Sequence, residues 1–386
     1  MLTCKSPRKV MLAAFLLGRP ALPKHTSKFS RKDFTLPQLF ACLVVKEHQR
    51  KSYREVEALL RDSEHWCRGI GMKKVPDHNT LCRAFHALNL GRRARTLLDK
   101  LAQWMSISRQ LGRTLAIDSS CFDTHHRSRH YERRCRHYAS KPRKTANSRR
   151  SRTARGTPKL ANGCDTKSHF ILSARPRIGM GADHPDFEPL LFNAWRRTPG
   201  RRLKNLLADA GYDSERAHEL ARSDMGIRSL IKTGAGRPTS KPPSTYYRRL
   251  MHRLLNGSQK GKLYGQRSQV ETVYSMIKRN LGDALRSRGN RARRHEMLLR
   301  SIVHDLMIMR RQEEGRDRAS YDPVFFGGRR NHSCQCRACV LSKRSENGAA
   351  RASSSKSVRS NPPSAIPGSR GYLKTASPTR SIRPSR

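Results

Sequence analysis

The chain has 386 residues, enough for two or three domains with cores of their own. Its 81 Lys and Arg stand against 29 Asp and Glu, a formal net charge of +52, which repels itself and favours a polyanionic partner. No apolar run approaches the ~20 residues of a membrane span, so nucleic acid is a better partner than a membrane.

KSPRKVMLAAFLLGRPALP at the N-terminus imitates a secretion signal, but Arg19 and Pro20 interrupt its apolar stretch and the cleavage pattern is poor. Residues 1–32 are therefore expected to be an unstructured basic leader, or to contain a start codon placed ahead of Met11. Residues 33–108 read as a small all-α module. Residues 36–46 form a first amphipathic stretch. Ser52 and Glu55 make a capping box for a second helix, with Val56, Leu59 and Leu60 as its apolar side. Asp77 or Asn79 caps a third, with Leu81, Phe85 and Leu88 at helical spacing. This is compatible with a helix-turn-helix that reads DNA through its last helix, and equally with a plain bundle.

From Arg113 the pattern changes to strands. RTLAID predicts a short strand ending at Asp118, and KLANGCDTKSHFILSA a β-hairpin over residues 159–174. GADHPDFEPLLFNAW reads as a helix, NLLADAGY as a buried strand, DSERAHELA as a helix and GIRSLIKT as a strand. Strands alternating with helices indicate an α/β mixed sheet over residues 109–315. YYRRLMHRLLNG, YGQRSQVETVYSMIKR and HEMLLRSIVHDLMIMRR complete it as helices. Residues 125–159 hold 13 Lys/Arg and one acid, Glu132, too polar to bury a core. They are expected to be an Arg-rich loop or arm inserted in this domain.

Residues 316–386 read as a disordered basic tail rich in Ser, Arg and Pro. His332, Cys334, Cys336 and Cys339 fall just inside it, four zinc-type ligands within eight residues. Structural zinc sites usually unite two ligand pairs across a folded spacer, which this cluster lacks. The remaining seven cysteines are widely spaced, as reduced thiols in a cytoplasmic protein would be.

Three acids occupy positions where chemistry is plausible. Asp118 ends the first predicted strand, Asp209 ends NLLAD, and Glu271 lies on the helix of YGQRSQVETVYSMIKR. Carboxylates at strand ends and on a neighbouring helix can converge above a sheet edge. Their oxygens suit Mg²⁺ or Mn²⁺, and two such ions are the usual apparatus of phosphodiester chemistry. Each acid also has a structural reading: Asp118 and Asp209 as turn residues, and Glu271 as the last member of a capping box begun by Ser268.

Helix geometry adds to the chemical reading. Tyr264, Arg267, Glu271, Tyr274 and Lys278 share a sector about 80° wide, and Val270, Val273, Ile277 and Leu281 fill the adjoining one. The polar stripe thus borders the core, with Arg267 and Lys278 placed to neutralise phosphate around a carboxylate.

Tyr264, Arg267, Glu271 and Lys278 make a Y-x2-R-x3-E-x6-K motif that resembles the signature of bacterial insertion-sequence DDE transposases, the IS-four-like superfamily. LAIDSS around Asp118 and LLADAGYDS around Asp209 resemble that family's first and second acid motifs, in the right order. The resemblance covers roughly residues 33–312. It implies a ribonuclease-H-like domain whose Asp118, Asp209 and Glu271 are catalytic and hold two Mg²⁺ (or Mn²⁺) ions. It further implies Tyr264, Arg267 and Lys278 as DNA- and phosphate-binding residues. The implied activity is nicking at transposon ends and 3′-hydroxyl strand transfer, on double-stranded DNA and by a homodimer in the synaptic complex. A nucleoid-associated, cytoplasmic location follows. Asp213 and Glu215 lie close enough in sequence to stand in for Asp209 as ligands. The Arg-rich insertion, the short interval between Asp209 and Glu271, and the tail depart from the family pattern. A non-catalytic DNA-binding descendant or decayed remnant of such an enzyme is the alternative. A basic RNA-associated protein would explain the charge but not three spaced acids, and 6% aromatic content is sparse for base stacking.

Overall fold

Eight residues of β1 (Thr114–Cys121) run through the middle of a five-stranded mixed sheet. The structure, a computed structural model, describes residues 3–29, 32–125, 156–198, 203–234, 243–256 and 262–317. All of them fall in the first of two units, Met1–Asp322 and Pro323–Arg386. Most of the Arg-rich arm, the tail and the His332/Cys334/Cys336/Cys339 cluster lie outside the described residues.

Among the described residues, six helices precede the sheet: α1 (Pro7–Ala21), α2 (Leu36–His48), α3 (Tyr53–Asp62), α4 (Glu64–Gly69), α5 (His78–Ala87) and α6 (Leu90–Ile107). Then come β1, β2 (Asp123–Thr124), β3 (Pro158–Asp165), β4 (Ile171–Ile178), α7 (His184–Arg196), β5 (Asn205–Ala208), α8 (Glu215–Glu219) and β6 (Arg228–Ile231). The chain continues with α9 (Tyr246–Asn256), α10 (Lys262–Gly265), α11 (Ser268–Leu281), β7 (Ala284–Leu285) and α12 (Asn290–Asp317).

The strand order is β4-β3-β1-β5-β6. β1 pairs antiparallel with β3 and β3 with β4, whereas β1, β5 and β6 run parallel. The predicted hairpin is therefore present but longer, over residues 158–178. β1 does not stop at Asp118: its pairing with β5 ends at Ile117↔Ala208, but its pairing with β3 continues to Cys121↔Lys159. The longer antiparallel partner carries the strand past the acid. Lys159, expected in the arm, is buried in β3. Alternation along β1 sends Asp118 and Ser120 toward α11, and Ser119 to the opposite face, toward the start of α7.

The leader expectation is overturned. Ser6 caps α1 by accepting from the Lys9 amide, and Val10, Met11, Ala13, Ala14 and Leu17 are buried against neighbouring helices, α2 foremost. The apolar stretch that imitated a secretion signal is a core face. The first helix of the expected module is not amphipathic either. From residue 36 to residue 48 α2 is buried almost all round, and so is α12 from 295 to 310. α2 is apolar on nearly every side, as an interior helix is, whereas α12 brings buried polar and charged side chains in with it. α12 touches α1, α2 and α6 as well as β3 and β4, so the N-terminal helices and the sheet share one apolar core. Where α2 meets α12 some of the buried charges are paired: Glu47 pairs with Lys46 and lies 3.6 Å from Arg300, and Arg300 pairs with Glu296 at 2.6 Å. The Ser52/Glu55 capping box forms, and Asp77 is the cap of α5.

The segment YGQRSQVETVYSMIKR is not one helix. α10 ends at Gly265, residues 266–267 turn, and α11 starts at Ser268. The Ser268–Glu271 capping box, the alternative reading of Glu271, is not made; the Ser268 hydroxyl donates to the Gly265 carbonyl, and Glu271 turns to Arg267. Val270, Val273, Ile277 and Leu281 are buried beneath α11. Gly282 ends it at φ 96°, a conformation favouring glycine, and its carbonyl accepts from Arg300.

Candidate active site

Asp118 and Asp209 are each the next residue after the last parallel pair, Ile117↔Ala208. The two carboxylates therefore stand at the carboxyl ends of adjacent parallel strands. There the connections diverge: β1 leads to β3 on one side, and β5 to β6 on the other. Such a divergence leaves a crevice for ligand. Asp209 is exposed and precedes a 3₁₀ turn over Ala210–Tyr212.

α11 crosses this crevice and is pinned there from beneath. The buried Tyr274 hydroxyl lies 2.8 Å from the Asp118 carbonyl oxygen and 2.9 Å from that of Leu160, sharing its proton between them. One turn earlier, Glu271 projects outward with its side chain 56% exposed. Arg267 joins the acids: Nη1 lies 3.4 Å from Asp118 Oδ2, and Nη2 donates to Glu271 Oε1 at 2.7 Å. Lys278 donates to Ser120 Oγ at 2.9 Å and rests over the Phe122 ring. Tyr264 donates to the Ala208 carbonyl, beside Asp209, at 3.3 Å. All six residues singled out in the sequence are thus gathered at one end of the sheet.

Burial raises the Asp118 carboxyl above the usual range, and Asp209 and Glu271 push it further; the Ser119 amide and Arg267 oppose them. Arg267 is partly desolvated, which works against its charge, but Glu271, Asp209 and Asp118 together raise its pKa. An all-oxygen donor set suits a hard divalent ion. Among the described residues, no group of three His, Cys, Asp or Glu side chains is gathered tightly enough to hold a metal as it stands. The positive charge between Asp118 and Glu271 is the guanidinium.

The two reserve acids are occupied elsewhere. Asp213 accepts from Arg248 at 2.9 and 3.0 Å, and Glu215 accepts from the backbone amides of Tyr247 and Arg248, so both hold α9 in place. Asp183 went unread in the sequence. It stands at the start of α7, yet its side chain caps nothing. It accepts from Ser119 Oγ at 3.0 Å and pairs with Lys159. A helix-start aspartate carries its own sufficient explanation, which hid this contact to the strand next to Asp118.

Residues 109–306 match the family described as "Transposase DDE domain". No curated protein matches the chain. Among solved structures, the chain is similar to one titled "Cryo-EM structure of piggyBac transposase synaptic complex with hairpin DNA (SNHP)". Identity is 11% over 87% of this chain and 86% of that one, with a TM-score of 0.39. It is also similar to the "Crystal structure of the Mos1 mariner paired end complex with Mn", at 13% identity over 76% and 81% of the two chains and a TM-score of 0.20. Just over half of the sequence lies within the family match, and the chain belongs to the transposase DDE-domain family.

Proposed function

We propose that this transposase cuts and joins DNA where β1 and β5 end, with Asp118, Asp209 and Glu271 as its catalytic carboxylates. The observation that carries the reading is the guanidinium of Arg267, held between Asp118 and Glu271 beside Asp209. Three acids brought together need a counter-charge. In the working enzyme these carboxylates would hold two divalent ions, Mg²⁺ or Mn²⁺, which supply activation of the attacking oxygen and stabilisation of the leaving one. Arg267 is then free to turn toward a phosphate, and Lys278 stands two turns beyond Glu271 on α11 to meet the same strand. Tyr264 packs against a sugar or base near the cut. Tyr274 keeps the Asp118 backbone and α11 in register, so that Glu271 reaches the crevice. The helices within residues 33–108 are assigned recognition of the transposon end, and two copies are assigned to the synaptic complex.

The test is nicking of a plasmid carrying the element with its flanking DNA. Asp118→Asn, Asp209→Asn and Glu271→Gln keep side-chain size and remove charge. Each should abolish Mg²⁺-dependent nicking while leaving DNA binding equal or slightly tighter. Metal-dependent nicking retained by Glu271→Gln would remove that residue from the site.

A further inference from the structure

Away from the crevice, α6, β4, α7 and α12 line an open cavity of about 570 Å³ at the outer edge of the sheet. Arg95, Arg175, Arg197, Arg291, Arg294 and His295 line it, and among the described residues no carboxylate does. Two acids stand behind the wall and are already engaged. Asp99 takes Arg197 at 2.7 Å, and Asp186 takes Arg175 at 2.7 Å. Among the described residues no ion pair engages Arg95, Arg291 or Arg294, and all three are exposed at the rim. Arg197 and His295 form a buried floor.

The floor also contains an unmet hydrogen-bonding group. His295 is 3% exposed, and its Nδ1 has no partner. Burial, then Arg291 and His86, hold its imidazole below the usual range. Leaving a buried polar atom unsatisfied is costly, and so is converging like charges without an anion. One tetrahedral, multiply charged oxyanion meets the second need directly, its oxygens accepting from the arginines, and sets its charge beside the His295 ring.

We infer that this cavity is a second phosphate site, which grips a backbone phosphate of bound DNA away from the bond being cut. The choice of DNA as the source rests on the transposase reading above. The site itself is distinct from the crevice: Ala174 in its wall pairs with Asn162, which pairs with Asp118, so two strand spacings separate them. A phosphate held there belongs to another part of the duplex, and the grip sets how the DNA lies across the sheet.

The experiment uses the full chain with ¹⁵N-labelled histidine, the His295 ring signal being assigned by His295→Gln. A 30-base-pair duplex should shift that signal in the wild type and leave it unmoved in Arg95→Ala/Arg294→Ala. The same double variant should flatten the slope of log affinity against log salt by about 0.9 to 1.8, the loss of one or two phosphate contacts. Duplex binding with the His295 signal unmoved would overturn the proposal. So would a signal that moves with inorganic phosphate but not with duplex, which makes the cavity a small-anion site. A wild type that binds no duplex at all would instead count against the transposase reading itself.

Discussion

The hydroxyl of Tyr274 lies 2.8 Å from the carbonyl oxygen of Asp118, so the helix bearing one acid is tied to the backbone of another. Glu271 sits one turn before Tyr274, and its reach into the crevice depends on this tie. Tyr274→Phe should cost about 1–2 kcal/mol of stability, since two buried carbonyls lose their donor. It should also lower cleavage by roughly 10- to 100-fold through misplacement of Glu271, with DNA binding unchanged. Chemical denaturation and single-turnover nicking measure the two effects. Full activity in a destabilised Phe variant would limit Tyr274 to packing.

Arg267 competes with any cation for Asp118 and Glu271. Arg267→Ala should therefore tighten Mn²⁺ binding, by about tenfold if one ion pair of some 1.4 kcal/mol is lost. The same change should weaken cleavage, because the phosphate clamp is gone. Calorimetric titration of the free protein reads the first effect without any DNA. Weaker Mn²⁺ binding would show that the guanidinium supports the metal site instead of filling it.

Asp118 is ionised at a cost. Its carboxyl pKa in the folded chain is raised, foremost by burial, so the folded state holds the proton more tightly than the unfolded one. The penalty is absent in strong acid and grows as pH rises through the carboxylate range. Asp118→Asn should consequently raise the melting temperature at neutral pH in metal-free buffer, while abolishing cleavage. A lower melting temperature would mean that Arg267 compensates the charge more fully than burial penalises it.

His304 tests the core. It is wholly buried on α12, its pKa lowered to about 4 by desolvation, and its Nε2 donates to the His169 carbonyl at 3.0 Å. A depressed histidine pKa means that the unfolded chain takes up the proton first. Stability from this group is complete above the unfolded value of about 6.5, and is lost as pH falls toward 4, by roughly 3 kcal/mol in all. His304→Gln keeps a donor for His169 and should flatten stability against pH across that window. An unchanged slope would assign the acid sensitivity to other groups.

Lys278 is held by Ser120 and the Phe122 ring even without DNA. Lys278→Met preserves the stem against Phe122 and removes the charge. Cleavage should slow by about 10- to 100-fold as one preorganised charge is lost, with Mn²⁺ affinity intact. Loss of Mn²⁺ binding would place Lys278 in the support of the acids, not the phosphate.

Local rules sufficed for much of this molecule. Ser52 with Glu55, Asp77, and the alternation around the residue 164–169 turn marked helix starts and a hairpin because caps and turns are decided within a few residues. The spacing of Glu271 and Lys278 pointed to the crevice because α11 preserves helical periodicity between them, and Arg267, just before α11, keeps helical backbone angles. Other features were decided only by what packs against what. The stretch of residues 10–17 is equally apolar in a signal and in a core, and only α2 beside it makes it a core face. β1 outruns Asp118 because β3 outlasts β5 as its partner, which no property of RTLAID encodes. Asp183 meets Ser119, and five arginines meet around His295, through contacts between segments far apart in the chain. Such meetings are set by the sheet order and by the helices laid across it, so they exist only once the tertiary structure has formed.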